Sequence, residues 1–190
     1  MASPDDIGSL FETLQREIVW RGTRVSMERA RFRGPDGDEF EREYTKHPGA
    51  VGVIALHDDG TVTLVRQFRG PMGRGVLEMP AGTCDVEGEE PEATARRELA
   101  EEVGLAAAHW ECLAPWPVSP GVTDQVTRAY LATGLTEVPI DRVGPEERAM
   151  VVERVALHDV VTMAANGELI DAPTIAAVAL AARALESRDR

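Results

Sequence analysis

The chain has 190 residues, 43% of them hydrophobic, and its 20 Lys and Arg stand against 33 Asp and Glu for a net charge of −13. That length fits one ordinary domain with a small appendage, and that apolar content supports a buried core rather than a disordered chain. The acidic balance argues against a protein that coats nucleic acid or docks on anionic membranes, since both depend on clustered Lys and Arg.

In chain order, residues 1–15 read as a flexible N-terminus. The first seventeen residues of the chain, MASPDDIGSLFETLQRE, lack the basic-then-apolar order of a signal peptide. Residues 18–45 alternate in short runs around a Pro35-Asp36-Gly37 turn, so 16–48 is expected to form a small antiparallel unit. Residues 49–188 then form the main domain. Two β-rich runs, 51–56 and 62–67, flank Asp58-Asp59-Gly60, a hairpin signal. A Gly-rich loop over 70–75 and a short apolar run at 76–79 lead to Pro80-Ala81-Gly82.

A helix is expected from Pro91 to Val103. Pro91 suits its first turn, Gly104 suits the position past its end, and Ala95, Leu99 and Val103 recur every four residues. Strands follow at 113–118 and 126–132, split by Ser119-Pro120-Gly121, and another at 151–157. Helices over 158–166 and 173–186 finish the chain. Strands first and helices late imply an α+β fold or a mixed α/β sandwich. Cys84 and Cys112 lie far apart with no CxxC spacing, which suggests a reducing cytoplasm and argues against a zinc site. The apolar-rich stretch 175–185 carries Arg183 and is too short to span a bilayer.

The charge is unevenly distributed. Residues 85–102 hold eight acids and two bases, a net of −6, nearly half the total. Glu98, Glu101 and Glu102 stand at i, i+3 and i+4 and so share one helix face. Each like-charged pair costs about 0.2–0.5 kcal/mol, and Glu101 and Glu102 occupy the end of the helix that disfavours anions. A solvated acidic face has to accept both costs. A hard divalent cation with oxygen ligands removes them.

The stretch from Glu89 through Arg97-Glu98-Leu99-Ala100-Glu101-Glu102-Val103-Gly104-Leu105 resembles the Nudix box, G-x5-E-x7-R-E-U-x-E-E-x-G-U with U apolar. One feature departs from it: six residues, not five, separate Gly82 from Glu89. The resemblance implies an α/β/α sandwich with a mixed sheet and Mg²⁺- or Mn²⁺-dependent hydrolysis of a nucleoside diphosphate linked to another group. It implies that Glu98 and Glu102 bind metal, and that Glu101 binds or positions a further ion or water. It also implies that Arg97 orients the catalytic carboxylates by a bidentate pair, and that the Ala81 carbonyl is a further ligand.

Arg66-Gln67-Phe68-Arg69 and Glu78-Met79-Pro80-Ala81-Gly82 resemble the pattern of the ADP-ribose pyrophosphatase subfamily. Pro120, fifteen residues after Leu105, fits it too. This likeness implies a homodimer formed through exchanged N-terminal β segments and acting on ADP-ribose or a related ADP-sugar. Arg69 would contact a phosphate or the ribose side, Glu78 ribose hydroxyls or metal, and Trp20 the adenine. Trp110 and Trp116 read as core. The general base is expected from the acidic loop 144–148, as Glu146 or Glu147. The rivals are a pyrophosphatase for another sugar such as GDP-mannose, an inactive Nudix-fold nucleotide sensor, and an acidic calcium-binding or protein-interaction module.

Overall fold

The computed structural model describes residues 4–188, which fall into two compact units. The first comprises the described chain from Pro4 to Pro48 together with Pro117–Gln125. The second comprises Gly49–Trp116 and the chain from Val126 onward.

In the first unit a 3-10 helix, Pro4–Leu10, leads into an antiparallel meander of β1 (Glu12–Arg21), β2 (Ser26–Arg33) and β3 (Glu39–Lys46). β1 begins inside the segment expected to be flexible. Its face is a lattice of ion pairs: Arg29 bridges Glu17 and Glu43, and Arg33 bridges Glu12 and Glu39. Such exposed pairs contribute little each, about 0–1 kcal/mol. Apolar contact comes from Phe40, which meets Phe11 edge-on and stacks on Phe32. The segment carrying Ser119-Pro120-Gly121, expected within the main domain, joins this unit instead. Thr45 N–H donates to Val122 O at 2.9 Å, and the Asp124 carboxylate accepts from the His47 N–H and from Lys46.

The second unit is built on β4 (Ala50–Leu56) and β5 (Thr61–Arg69), the expected hairpin. These strands pair directly only near their turn, then diverge. β6 (Arg74–Glu78) fills the fork against β5, and β7 (Ala81–Thr83) fills it against β4. The residues between them, Met79 and Pro80, are therefore pinned inside the sheet, where Val53 N–H donates to Pro80 O at 2.9 Å. β9 (Val126–Glu137) runs parallel to β4, β8 (Leu105–Pro117) lies outside β9, and β10 (Val151–Ala156) pairs with β5.

Strand alternation gives the sheet two apolar faces. Val51, Val53, Ala55 and Tyr130 pack against Ala95 and Leu99 of α1 (Pro91–Val103). On the other face Ile54, Leu64 and Leu131 pack against Val160 of α3 (Leu157–Ala165) and Ala177, Val178 and Ala181 of α4 (Ala172–Arg188). The single turn α2 (Pro145–Arg148) precedes β10. This unit is an α/β/α sandwich with a mixed sheet. Among the described residues no helix is long and apolar enough to cross a membrane.

Gly52 shows how tightly the fork is packed. A Cβ there would lie 2.0 Å from Met79 Cε and 2.6 Å from its Sδ, and Met79 is fully buried. Overpacking of this kind typically costs about 1–3 kcal/mol. Gly52→Ala should lower unfolding stability by that amount, read as a reduced denaturant midpoint with unchanged slope.

Candidate active site

α1 has the bounds that Pro91 and Gly104 predict. Gly104 adopts φ 67° and its N–H caps Ala100 O and Leu99 O. Leu99 and Val103 anchor the helix on the sheet, which fixes Glu98 and Glu102 towards β7 and the Pro80-Ala81-Gly82 turn. Glu102 Oε2 accepts the Ala81 N–H at 3.0 Å, and the residue is only 5% exposed. Burial and the nearby charges of Glu98 and Glu147 push its carboxyl up to about 8. Burial also raises Glu98, with Glu101 and Glu147 adding to the shift.

Glu98 lies directly against Gly82. A Cβ on Gly82 would fall 2.1 Å from Glu98 Cδ and 2.3 Å from Oε1. The glycine therefore clears the space that this carboxylate occupies, even with one residue more than the box pattern before Glu89.

Arg97 departs from the expected bidentate pairing with the catalytic carboxylates. Its Nη1 is shared between Glu98 Oε1 at 2.8 Å and Glu101 Oε2 at 3.0 Å. Its fork faces Glu89 instead, at 3.4 and 3.3 Å, and Glu89 is braced by the Thr94 hydroxyl at 2.8 Å. Burial opposes the Arg97 charge, but these three carboxylates outweigh it and hold the guanidinium firmly protonated. Glu101 thus sits in an ion pair on the more exposed flank, while Glu98 and Glu102 point inward.

Arg69 and Glu78, expected as separate substrate contacts, are bound to each other. Arg69 Nε donates to both Glu78 oxygens at 2.9 and 3.0 Å, and Gln67 Nε2 adds a bond at 3.2 Å. Glu78 is 5% exposed and its carboxylate is occupied by these partners. Arg69 is held charged by this hydrogen bonding against burial, with Asp171 and Glu102 contributing.

Glu146 and Glu147 both lie in α2, and the structure treats them differently. Glu146 is exposed; Glu147 is half-buried, its Oε2 accepts the Val143 N–H at 2.8 Å, and its charge acts on both Glu98 and Glu102. Trp20 and Pro120 belong to the first unit and are exposed there; the Trp20 indole folds over Gly22. Trp110 is half-buried between Tyr130 and the Arg96 guanidinium, and Trp116 packs on the second unit's core.

Two features were invisible to the motif reading. Thr174, at the start of α4, gives its hydroxyl proton to Asp171 at 2.6 Å and accepts the Met79 N–H at 2.9 Å, locking the turn beside Glu78. Arg142 donates to the Glu102 carbonyl at 2.7 Å and the Met150 carbonyl at 3.0 Å. Asp171–Thr174 is a local i, i+3 pair, but the bonds from Thr174 to Met79 and from Arg142 to Glu102 link segments remote in sequence and leave no spacing signal.

The donor set suits a hard divalent ion: oxygen donors from the buried Glu102 and the half-buried Glu98, with Glu101 beside them. Among the described residues no three acidic, His or Cys side chains already converge on one point. Arg97 and the Ala81 N–H occupy the carboxylate oxygens instead.

A Nudix domain profile matches residues 46–178. An ADP-ribose pyrophosphatase of Mycobacterium tuberculosis is 39% identical over 168 residues, covering 88% of this chain and 81% of that protein. Another of that name from Bacillus subtilis is 35% identical, covering 88% and 90%. The crystal structure of an ADP compounds hydrolase superposes with a TM-score of 0.82 at 21% identity, over 94% of this chain and 95% of that one, which shows a shared fold. The family's general dependence on a divalent metal agrees with the acidic site just described. Domain match, identity and fold together place this chain in the Nudix hydrolase family.

Proposed function

We propose that the protein hydrolyses the diphosphate of ADP-ribose, or of a close ADP-sugar, to AMP and a sugar phosphate. The observation that carries this is the buried carboxylate of Glu102 and the half-buried one of Glu98, both within reach of the Glu147 charge beside the Gly82 turn. The two relatives named ADP-ribose pyrophosphatase supply the substrate.

Mg²⁺, or Mn²⁺ in its place, would be held by Glu98, Glu102 and the Ala81 carbonyl, with Glu101 on the flank. When bound, the cation neutralises the diphosphate and makes water more acidic. Arg97 holds Glu98 and Glu101 in register. Arg69, clamped by Glu78, presents its remaining donors to a phosphate or the ribose side. Glu147 takes a proton from the attacking water as its oxygen bonds to phosphorus and the P–O–P bridge breaks. A base needs reach to that water, and Glu147 has the inward placement that Glu146 lacks. Glu147→Gln should therefore lower kcat by about 10²–10⁴-fold, whereas Glu146→Gln should stay within about threefold of wild type. Steady-state rates decide between them, and the reverse order would transfer the role to Glu146.

Trp20 and Pro120 are assigned to the adenosine end in a homodimer formed through the first unit. Exposed Ile7, Phe11, Val19 and Trp20 support that assembly. The free thiols of Cys84 and Cys112 support a cytoplasmic location. A panel of nucleoside diphosphate sugars with Mg²⁺, with AMP identified as product, tests the substrate. Faster turnover of GDP-mannose would replace the substrate assignment, and no turnover of any diphosphate would favour a nucleotide sensor.

A further inference from the structure

The last turn of a helix leaves its carbonyls without intrahelical partners, and it carries partial negative charge. In α1 that turn also bears Glu101 and Glu102 and contains no basic residue of its own; Arg97, one turn earlier, reaches the Glu101 side chain but not the terminal carbonyls. The segment after β9 reaches those carbonyls. Val138 N–H donates to Gly104 O at 2.9 Å and Asp141 N–H to Glu101 O at 3.3 Å. Arg142 Nε then donates to Glu102 O at 2.7 Å, with its guanidinium at the negative end of the helix.

The same guanidinium has a second attachment. Its Nη1 donates to Met150 O at 3.0 Å, and Met150 is buried in the core beneath α1. The chain leaves Arg142, passes through Glu147 and returns to Arg142's own side chain. Inside that closed loop, Glu147 Oε2 accepts the Val143 N–H at 2.8 Å and Met150 N–H donates to Glu147 O at 3.1 Å.

We propose that Arg142 is the positioning residue for the general base: it staples the loop carrying Glu147 to the backbone of Glu102, fixing base and metal-binding carboxylate relative to each other. This rests on the assignment of Glu147 made above. Arg142 donates its hydrogen bonds to main-chain carbonyls, those of Glu102 and Met150. Its effect reaches the reaction only through Glu147, because misplacing a reacting group by about 1 Å can cost on the order of a hundredfold.

The test is a double-mutant cycle on the full-length protein with Mg²⁺ and ADP-ribose, using wild type, Arg142→Ala, Glu147→Gln and the double variant. Arg142→Ala should lower kcat about 10–100-fold with KM within about twofold. The double variant should be no slower than Glu147→Gln alone, since a residue acting through an absent base has nothing left to position. Should Arg142→Ala melt below the assay temperature, Arg142→Lys takes its place in the cycle. It keeps the charge at the helix end but loses the planar fork that spans both carbonyls. Its kcat should fall likewise, without recovery of the wild-type rate. Losses that multiply in the double variant, or an Arg142 variant with wild-type kcat, would overturn the proposal while leaving Glu147 as base. A wild-type rate in Glu147→Gln would overturn the base assignment and this inference with it.

Discussion

Replacing Glu102 by Gln should cost about a hundredfold or more in kcat while making the metal-free protein more stable at pH 8. The loss of rate follows from removing a charged oxygen donor from the proposed cation site. The gain in stability follows from burial. Glu102 has a folded-state value of about 8 against 4.5 for an unperturbed carboxyl. Between those values the folded chain keeps a proton that the unfolded chain has released. Unfolding therefore becomes easier as pH rises from about 4.5 to 8, and the contribution vanishes below 4.5, where both states are protonated. Taken at full size, the penalty above pH 8 is on the order of 5 kcal/mol, and the amide of Gln escapes it.

Melting curves in chelator between pH 5 and pH 9 read this directly. Wild type and Glu102→Gln should converge near pH 5 and separate as pH rises, with wild type the less stable. Added Mg²⁺ should raise the wild-type midpoint most at high pH, where the ion displaces no proton, and should do far less for the variant. Parallel curves would show that Glu102 is not the strained group in the empty site. The arrangement stores stability cost where function needs charge, which is how buried functional carboxylates generally differ from structural ones.

The helix that carries this chemistry was legible because its signals are local. Pro91 and Gly104 fix both ends, and Ala95, Leu99 and Val103 fix the buried stripe, so Glu98 and Glu102 face the turn without further information. The β4–β5 hairpin was legible for the same reason. β7 was not: its three residues, Ala81–Thr83, become a strand only because β4 and β5 diverge and leave an edge to fill. The first half of β8 has no sequence signal because Leu105–Ala108 shows no alternation, and its strand state comes from pairing beside β9. Residues 117–125 carry no sequence sign of belonging to the first unit, since their partners Thr45, Lys46 and His47 lie more than seventy residues upstream. In the site, residue types were readable but partnerships were not. In sequence Arg69 and Glu78 read as two separate contacts with substrate; the fold makes them one clamp.

Gly82 yields the second large effect. Gly82→Ala should leave the fold in place and reduce kcat by about a hundredfold. The new Cβ would lie within 2.1–2.3 Å of Glu98 Cδ and Oε1, closer than any non-bonded contact allows. Two adjustments are available. β7 could move, but it is paired with β4 from Ala50 to Gly52 and held by the Val53 bond to Pro80. Glu98 could rotate about its own side-chain bonds, which costs far less, on the order of 1 kcal/mol for a strained rotamer. The side chain therefore gives way. It takes with it the oxygen that Arg97 now holds, and the carboxylate leaves its place beside Glu102. Circular dichroism and melting should stay near wild type, whereas Mg²⁺ titration of the rate should require more metal and reach a lower plateau. A variant that unfolds would mean the sheet, not Glu98, absorbs the clash. One that keeps full activity would mean that Glu98 acts from a position other than the one it holds against Gly82.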